Sequence, residues 1–202
     1  YRLHVGQMVA AGVPRAEAEA AVAGRIADFE AASQRENYDH VASVARLLET
    51  PFLNIHSPLD EVGRRIMQAT VDAVLASDAA ATVADLRAAL LRLPEFAAAR
   101  TQMQVALGSW DAPAGRVVVS HGAYTNGGYH VARAYLTHGV DTLCCIHFPR
   151  EDALRLAAEG VRGNILVMGH IAGDSVGINP YVARLRAEGL EVTTFSGVIG
   201  GV

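Results

Sequence analysis

From Gly115 onward the chain alternates short apolar runs with amphipathic stretches, and this alternation most constrains what it can fold into. GRVVVSH (115–121), TLCCIH (142–147), NILVMGH (164–170) and EVTTFSG (191–197) read as strands; GGYHVARAYLTHG (127–139), REDALRLAAEG (150–160) and 176–188 read as the helices that follow or separate them. Strands that are apolar almost throughout must be covered on both faces, so the pattern predicts an α/β fold with a mainly parallel or mixed sheet between helices. In such sheets ligands gather at the carboxyl ends of the strands.

The first half is mostly helical. A segment from Arg2 to Ala11 stops at Gly12, and Pro14 opens an Ala/Glu-rich run to about Ala32. Asp39 can cap a third helix, His40 to Leu48. PFLNIHS (51–57) is a short apolar run beginning with Pro and reads as a strand. Helical periodicity returns from Leu59, with Val62, Ile66, Ala69, Ala73 and Val74 on one face. Thr82 caps a helix ending near Leu91, and LPEF turns the chain into a strand at about Met103 to Leu107. No internal repeat or long linker divides the 202 residues, so 1–202 is expected to be one domain. It starts at Tyr1 directly in a helical pattern, and is expected to lack its N-terminal part.

Composition removes several classes of function. No apolar run approaches the roughly 20 residues of a membrane-spanning helix, and no leader pattern opens the chain, so a cytoplasmic protein off the membrane is expected. A net charge of -4 argues against a nucleic-acid surface. All 17 basic residues are Arg, which excludes a P-loop lysine, a Schiff-base lysine and a Ser/Lys pair. The two cysteines, Cys144 and Cys145, are adjacent in an apolar run and read as buried strand residues rather than a disulfide or thiolate metal site.

The chemistry concentrates on histidine. Of eight, His121, His147 and His170 close apolar runs and His56 sits near the end of PFLNIHS. Neutral imidazole is the commonest protein metal ligand. IHSPLD and GHIAGDS each place an aspartate four residues after the histidine, pairing His56 with Asp60 and His170 with Asp174. Nitrogen and oxygen donors without sulfur suit Zn, Mn, Fe, Co or Mg.

Plainer readings compete. Taken singly, His121 and His147 read more readily as satisfied structural histidines, as do His4, His40, His130 and His138 in helical segments; Asp60 also suits a helix N-terminus after Pro58. GAYTNGG (122–128) is a candidate phosphate loop, but a simple strand-to-helix connection is favoured because the full G-x-G-x-x-G spacing is missing. G-x-S-x-G, Gly173 to Gly177, matches a serine-hydrolase elbow; no histidine follows His170, so the expected base is absent and these residues read as a turn into the next helix.

Taken together, GVPRAEAEAAVAGRI, ARLLETPFLNIHSPLD, GVDTLCCIHFP and GHIAGDSVGINPYVARLRAEGLEVTTFSGVI resemble the NIF-three-like dinuclear metal-binding family, also known as GTP cyclohydrolase I type-two homologues. The resemblance runs along nearly the whole chain. It implies two divalent ions in a cavity, with Asp60 bridging and His170 and Asp174 as a late ligand pair, and places His56 and His147 in or just behind the ligand shell. It also implies homo-oligomers, ring-shaped hexamers, and a metal-dependent hydrolase acting on an unknown small nucleotide or phosphoester; a non-catalytic metal-binding ring scaffold working through protein partners is the alternative. Two departures stand out: the family often carries Glu where this chain has Asp174, and its early His-His pair has no counterpart, since no HH occurs in this sequence.

Overall fold

The computed structural model describes residues 1–34, 39–122 and 128–200. Six helices precede the first strand: α1 (Arg2–Ala10), α2 (Arg15–Ser33), α3 (His40–Leu47), α4 (Ser57–Ser77), α5 (Val83–Leu90) and the single turn α6 (Pro94–Ala97). Then follow β1 (Gln104–Leu107), β2 (Val117–Ser120), α7 (Tyr129–Thr137), β3 (Thr142–Cys145), α8 (Arg150–Ala158), β4 (Asn164–Val167) and α9 (His170–Ala187).

The sheet runs β1-β4-β3-β2, with β2, β3 and β4 parallel and β1 antiparallel to β4. It is therefore the expected mixed, doubly covered sheet. Successive strand side chains point to opposite faces. Leu143, Cys145 and Ile165 join Val5, Met8, Val22 and Tyr135 in one core, against α1, α2, α7 and α8. Val117, Val119, Cys144 and Leu166 join Met67, Leu86, Leu90 and Val176 in the other, against α4, α5 and α9. Cys144 and Cys145 are thus free, fully buried strand residues on opposite faces.

Several local expectations are overturned. Residues 51–56 form no strand: Phe52 and Leu53 are largely exposed, and His56 stands at the N-cap position of α4, which begins at Ser57, without a side-chain capping hydrogen bond. LPEF is a helical turn, α6, rather than a direct entry into a strand, while the strand expected at about Met103 to Leu107 is present as β1. Residues 191–197 are irregular rather than a strand of the sheet; Arg186 of α9 donates to the Val192 carbonyl, and Ile199 just beyond is tied to Ser175 and Asn179. Asp39 precedes α3 without capping it through its side chain; its carboxylate accepts from Arg46 at 3.0 Å. Thr82 does cap α5, accepting from the Asp85 N–H while Asp85 accepts from the Thr82 N–H. Residues 123–127 of the candidate phosphate loop lie outside the described residues. No described helix is long and apolar enough to cross a membrane.

Candidate metal centre

The largest correction concerns GHIAGDSVG. It is no turn: α9 begins at His170, so Gly173, Ser175 and Gly177 are helical and His170 and Asp174 stand one turn apart on the same face. At the other motif, His56 and Asp60 stand one turn apart at the start of α4. The two motifs are therefore the same device used twice, a His-x-x-x-Asp at a helix N-terminus.

What brings them together is a crossing of α4 and α9 on glycine. A Cβ on Gly63 would lie 3.1 Å from the Gly177 backbone nitrogen and 3.3 Å from the Gly173 carbonyl oxygen, and one on Gly177 would overlap the Leu59 carbonyl oxygen. Bare backbone on both sides lets the helices approach until Asp60 and Asp174 face a common point.

Between them comes His121, the residue after β2. One ligand atom each from Asp60, His121 and Asp174 can be chosen so that all lie within 4.8 Å of one another. His121 Nε2 is 3.7 Å from Asp60 and 3.8 Å from Asp174, too long for hydrogen bonds. Both its ring nitrogens and the Asp174 Oδ1 are buried without a hydrogen-bond partner, although His121 is only 2% exposed. Burial pushes the imidazole pKa down to about 4, helped by the positive charge that His170, His56 and His147 can carry nearby. At neutral pH His121 is thus neutral, with a lone pair to offer and no proton to neutralise the acids. Desolvation raises the Asp174 pKa, while His170 and His56 work against that rise. Buried polar groups normally find partners, so His121 Nε2 and Asp174 Oδ1, orphaned 3.8 Å apart, are the mark of a site shaped for something else. A cation fits: it would accept the histidine lone pair and compensate both carboxylates, and the donor set of nitrogen and oxygen suits a divalent ion.

The other histidines ring this point. His56 Nε2 lies 3.4 Å from Asp60 and His170 Nε2 lies 3.4 Å from Asp174, both on largely exposed side chains. The His147 ring is tilted over that of His170 at 4.9 Å between centroids, and its pKa is lowered chiefly by burial, then by His170 and Arg25. Asp60, Asp174, His56, His147 and His170 are therefore all assembled at the carboxyl ends of the strands. Sequence reasoning passed over His121. The available signal was its position closing VVVS, a strand whose neighbours are almost all apolar, where a histidine is forced inward.

Ser175 is fully buried; its hydroxyl donates to the Ile171 carbonyl at 2.6 Å and accepts from the Ile199 N–H at 3.0 Å. It holds the segment after α9 in place and is closed to substrate. Ser175→Ala should therefore leave metal content and any activity nearly unchanged while lowering stability in urea by about 1–2 kcal/mol, the cost of orphaning an amide. Labelling of Ser175 by a serine-directed reagent, with loss of activity, would contradict this.

A mixed α/β sheet with a cluster of carboxylates and imidazoles at its carboxyl edge defines the class. No protein-family model and no curated protein matches the sequence. Among solved structures, a NIF3 superfamily protein from Sphaerobacter thermophilus superposes with a TM-score of 0.88 at 52% identity, covering 96% of this chain and 70% of that one. The chain belongs to the NIF3 superfamily, the NIF-three-like family that its motifs resemble.

Proposed function

We propose that the protein is a divalent-metal-dependent hydrolase acting on a small nucleotide or phosphoester-like substrate, with Asp60, His170 and Asp174 as ligands, His121 as their buried companion, and His56 and His147 in or just behind the ligand shell. The observation that carries this reading is the meeting of Asp60, His121 and Asp174 within 4.8 Å, with buried nitrogens left unpaired.

When bound, a divalent ion would supply Lewis acidity and lower the pKa of a water to near neutrality. The chain's own residues prepare for that chemistry. Burial holds His121 neutral, so its lone pair is free at physiological pH. His56 and His170 flank the carboxylates of Asp60 and Asp174 and orient them. The His56 imidazole is more than half exposed, which places it where a proton can be passed to solvent or to a leaving group when it stands behind the ligands. Two carboxylates and four imidazoles offer more donors than one ion needs, which favours two ions, and a homo-oligomer, such as a hexamer, is the assembly we expect to carry them.

The test is metal content of the purified protein together with hydrolysis assays over nucleotide and phosphoester substrates, with and without chelator. Stoichiometric metal and chelator-sensitive turnover are expected. Stoichiometric metal with no metal-dependent turnover on any of them would replace the enzyme by a metal-binding scaffold.

A further inference from the structure

Arg25 is a charged group near the centre that the ligand set leaves unused. It lies on α2, which packs along α7, and its side chain reaches to the carboxyl edge of the sheet. There it passes over Gly128, the residue that opens α7: a Cβ on Gly128 would lie 3.2 Å from the Arg25 Nε and 3.5 Å from its Cζ. Gly128 has φ +90°, so glycine is required twice over, for the backbone conformation and for the room it leaves the guanidinium.

The Arg25 Nε is buried and has no hydrogen-bond acceptor among the described residues, and no described carboxylate forms an ion pair with Arg25. A surface arginine has water to satisfy it; a guanidinium with a desolvated N–H does not. Gly128 opens α7, the element that follows β2, so the guanidinium lies at the carboxyl edge of the sheet, the edge at which His121 closes β2. An unpaired cation is thus held at the same edge as a cluster that would itself become positively charged on taking up two divalent ions, and both attract the same kind of ligand.

Resting on the metal-centre reading above, we propose that Arg25 is the oxyanion-binding arm of this site, pairing with the phosphate or carboxylate oxygens of an acidic substrate whose reacting centre faces Asp60, His121 and Asp174. The planar guanidinium matches either group with two parallel hydrogen bonds, and since the chain has no lysine this recognition falls to arginine.

The experiment is calorimetric titration of the metal-loaded protein with inorganic phosphate and, separately, with acetate, for the unmodified protein, Arg25→Gln, Arg25→Lys and the exposed Arg162→Gln. Arg25→Gln should keep its metal and weaken the favoured anion by about 10-fold or more, the scale of one charge-assisted contact. Arg25→Lys, which keeps the charge and loses the fork, should fall between, and Arg162→Gln should match the unmodified protein. The tighter of the two anions identifies the substrate's acidic group. Metal-loaded Arg25→Gln that binds both anions as well as the unmodified protein overturns this inference alone. An unmodified protein that takes up no metal overturns the metal reading, and this inference with it.

Discussion

Gly177→Ala should lower the stability of the protein and abolish metal uptake at the same time. Two effects oppose each other. Replacing glycine by alanine inside a helix gains up to about 1 kcal/mol from propensity. Against this, the new methyl would overlap the Leu59 carbonyl oxygen and come within 3.0 Å of the Gly63 nitrogen. Overpacking a core typically costs about 1–3 kcal/mol when side chains can shift. Here both obstacles are backbone, so no rotamer relieves them, and α4 must move away from α9. Asp60 and Asp174 are carried on those two helices, so the same displacement separates the ligands. A net loss of at least about 2–3 kcal/mol in chemical denaturation follows from these magnitudes, with metal stoichiometry falling in parallel. Gly6→Ala is the control: it is exposed on α1 with nothing within 4 Å of the added methyl, so propensity acts alone and it should stabilise by roughly 0.5–1 kcal/mol. Equal behaviour of the two variants would refute the crossing as the device that assembles the site.

The same crossing explains what could be read from the sequence and what could not. Continuous apolar runs such as TLCC and NILV announced buried parallel strands because any strand covered on both faces must look like that. The two His-x-x-x-Asp pairs were legible as pairs, since the spacing is local. Their meeting was not, because it depends on Gly63, Gly173 and Gly177 finding one another across more than a hundred residues. PFLNIHS misled because a short apolar run does not declare whether it has a partner strand; here it has none, and Phe52 and Leu53 remain exposed. EVTTFSG failed for the same reason, its backbone continuing into a segment that Ser175 and Asn179 hold through Ile199 instead. His121 was set aside because, unlike His56 and His170, it has no aspartate four residues on, and a single histidine after a strand reads more readily as structural. Only the fold reveals that it is buried between two acids.

Asp60→Asn should remove bound metal while leaving the metal-free protein as stable as before, or more so. Asp60 is 4% exposed and converges with the partly buried Asp174 on one point, so without a cation two carboxylates face each other with much less screening than in water. Neutralising one relieves that repulsion and the cost of burying its charge. The opposing losses include the favourable placement of an anion in the first turn of α4, worth about 0.3–1 kcal/mol, and the contact to the largely exposed His56, and an amide in place of the carboxylate keeps hydrogen-bonding capacity at that position. Burial outweighs a surface-scale contribution of that size, so thermal unfolding of the chelated variant should occur at the same temperature or higher. Metal behaves oppositely. Loss of a ligand should weaken binding by more than about 100-fold, beyond the range typical of residues that merely support ligands, and the stabilisation conferred by added metal should vanish with it. Loss of metal with stability retained separates a ligand from a structural acid, whose removal would lower both. A variant that still holds stoichiometric metal at unchanged affinity would remove Asp60 from the ligand set. If Asp60→Asn instead unfolded, the carboxylate would be serving the fold, and the opposition between the metal-free and metal-bound states argued here would be wrong.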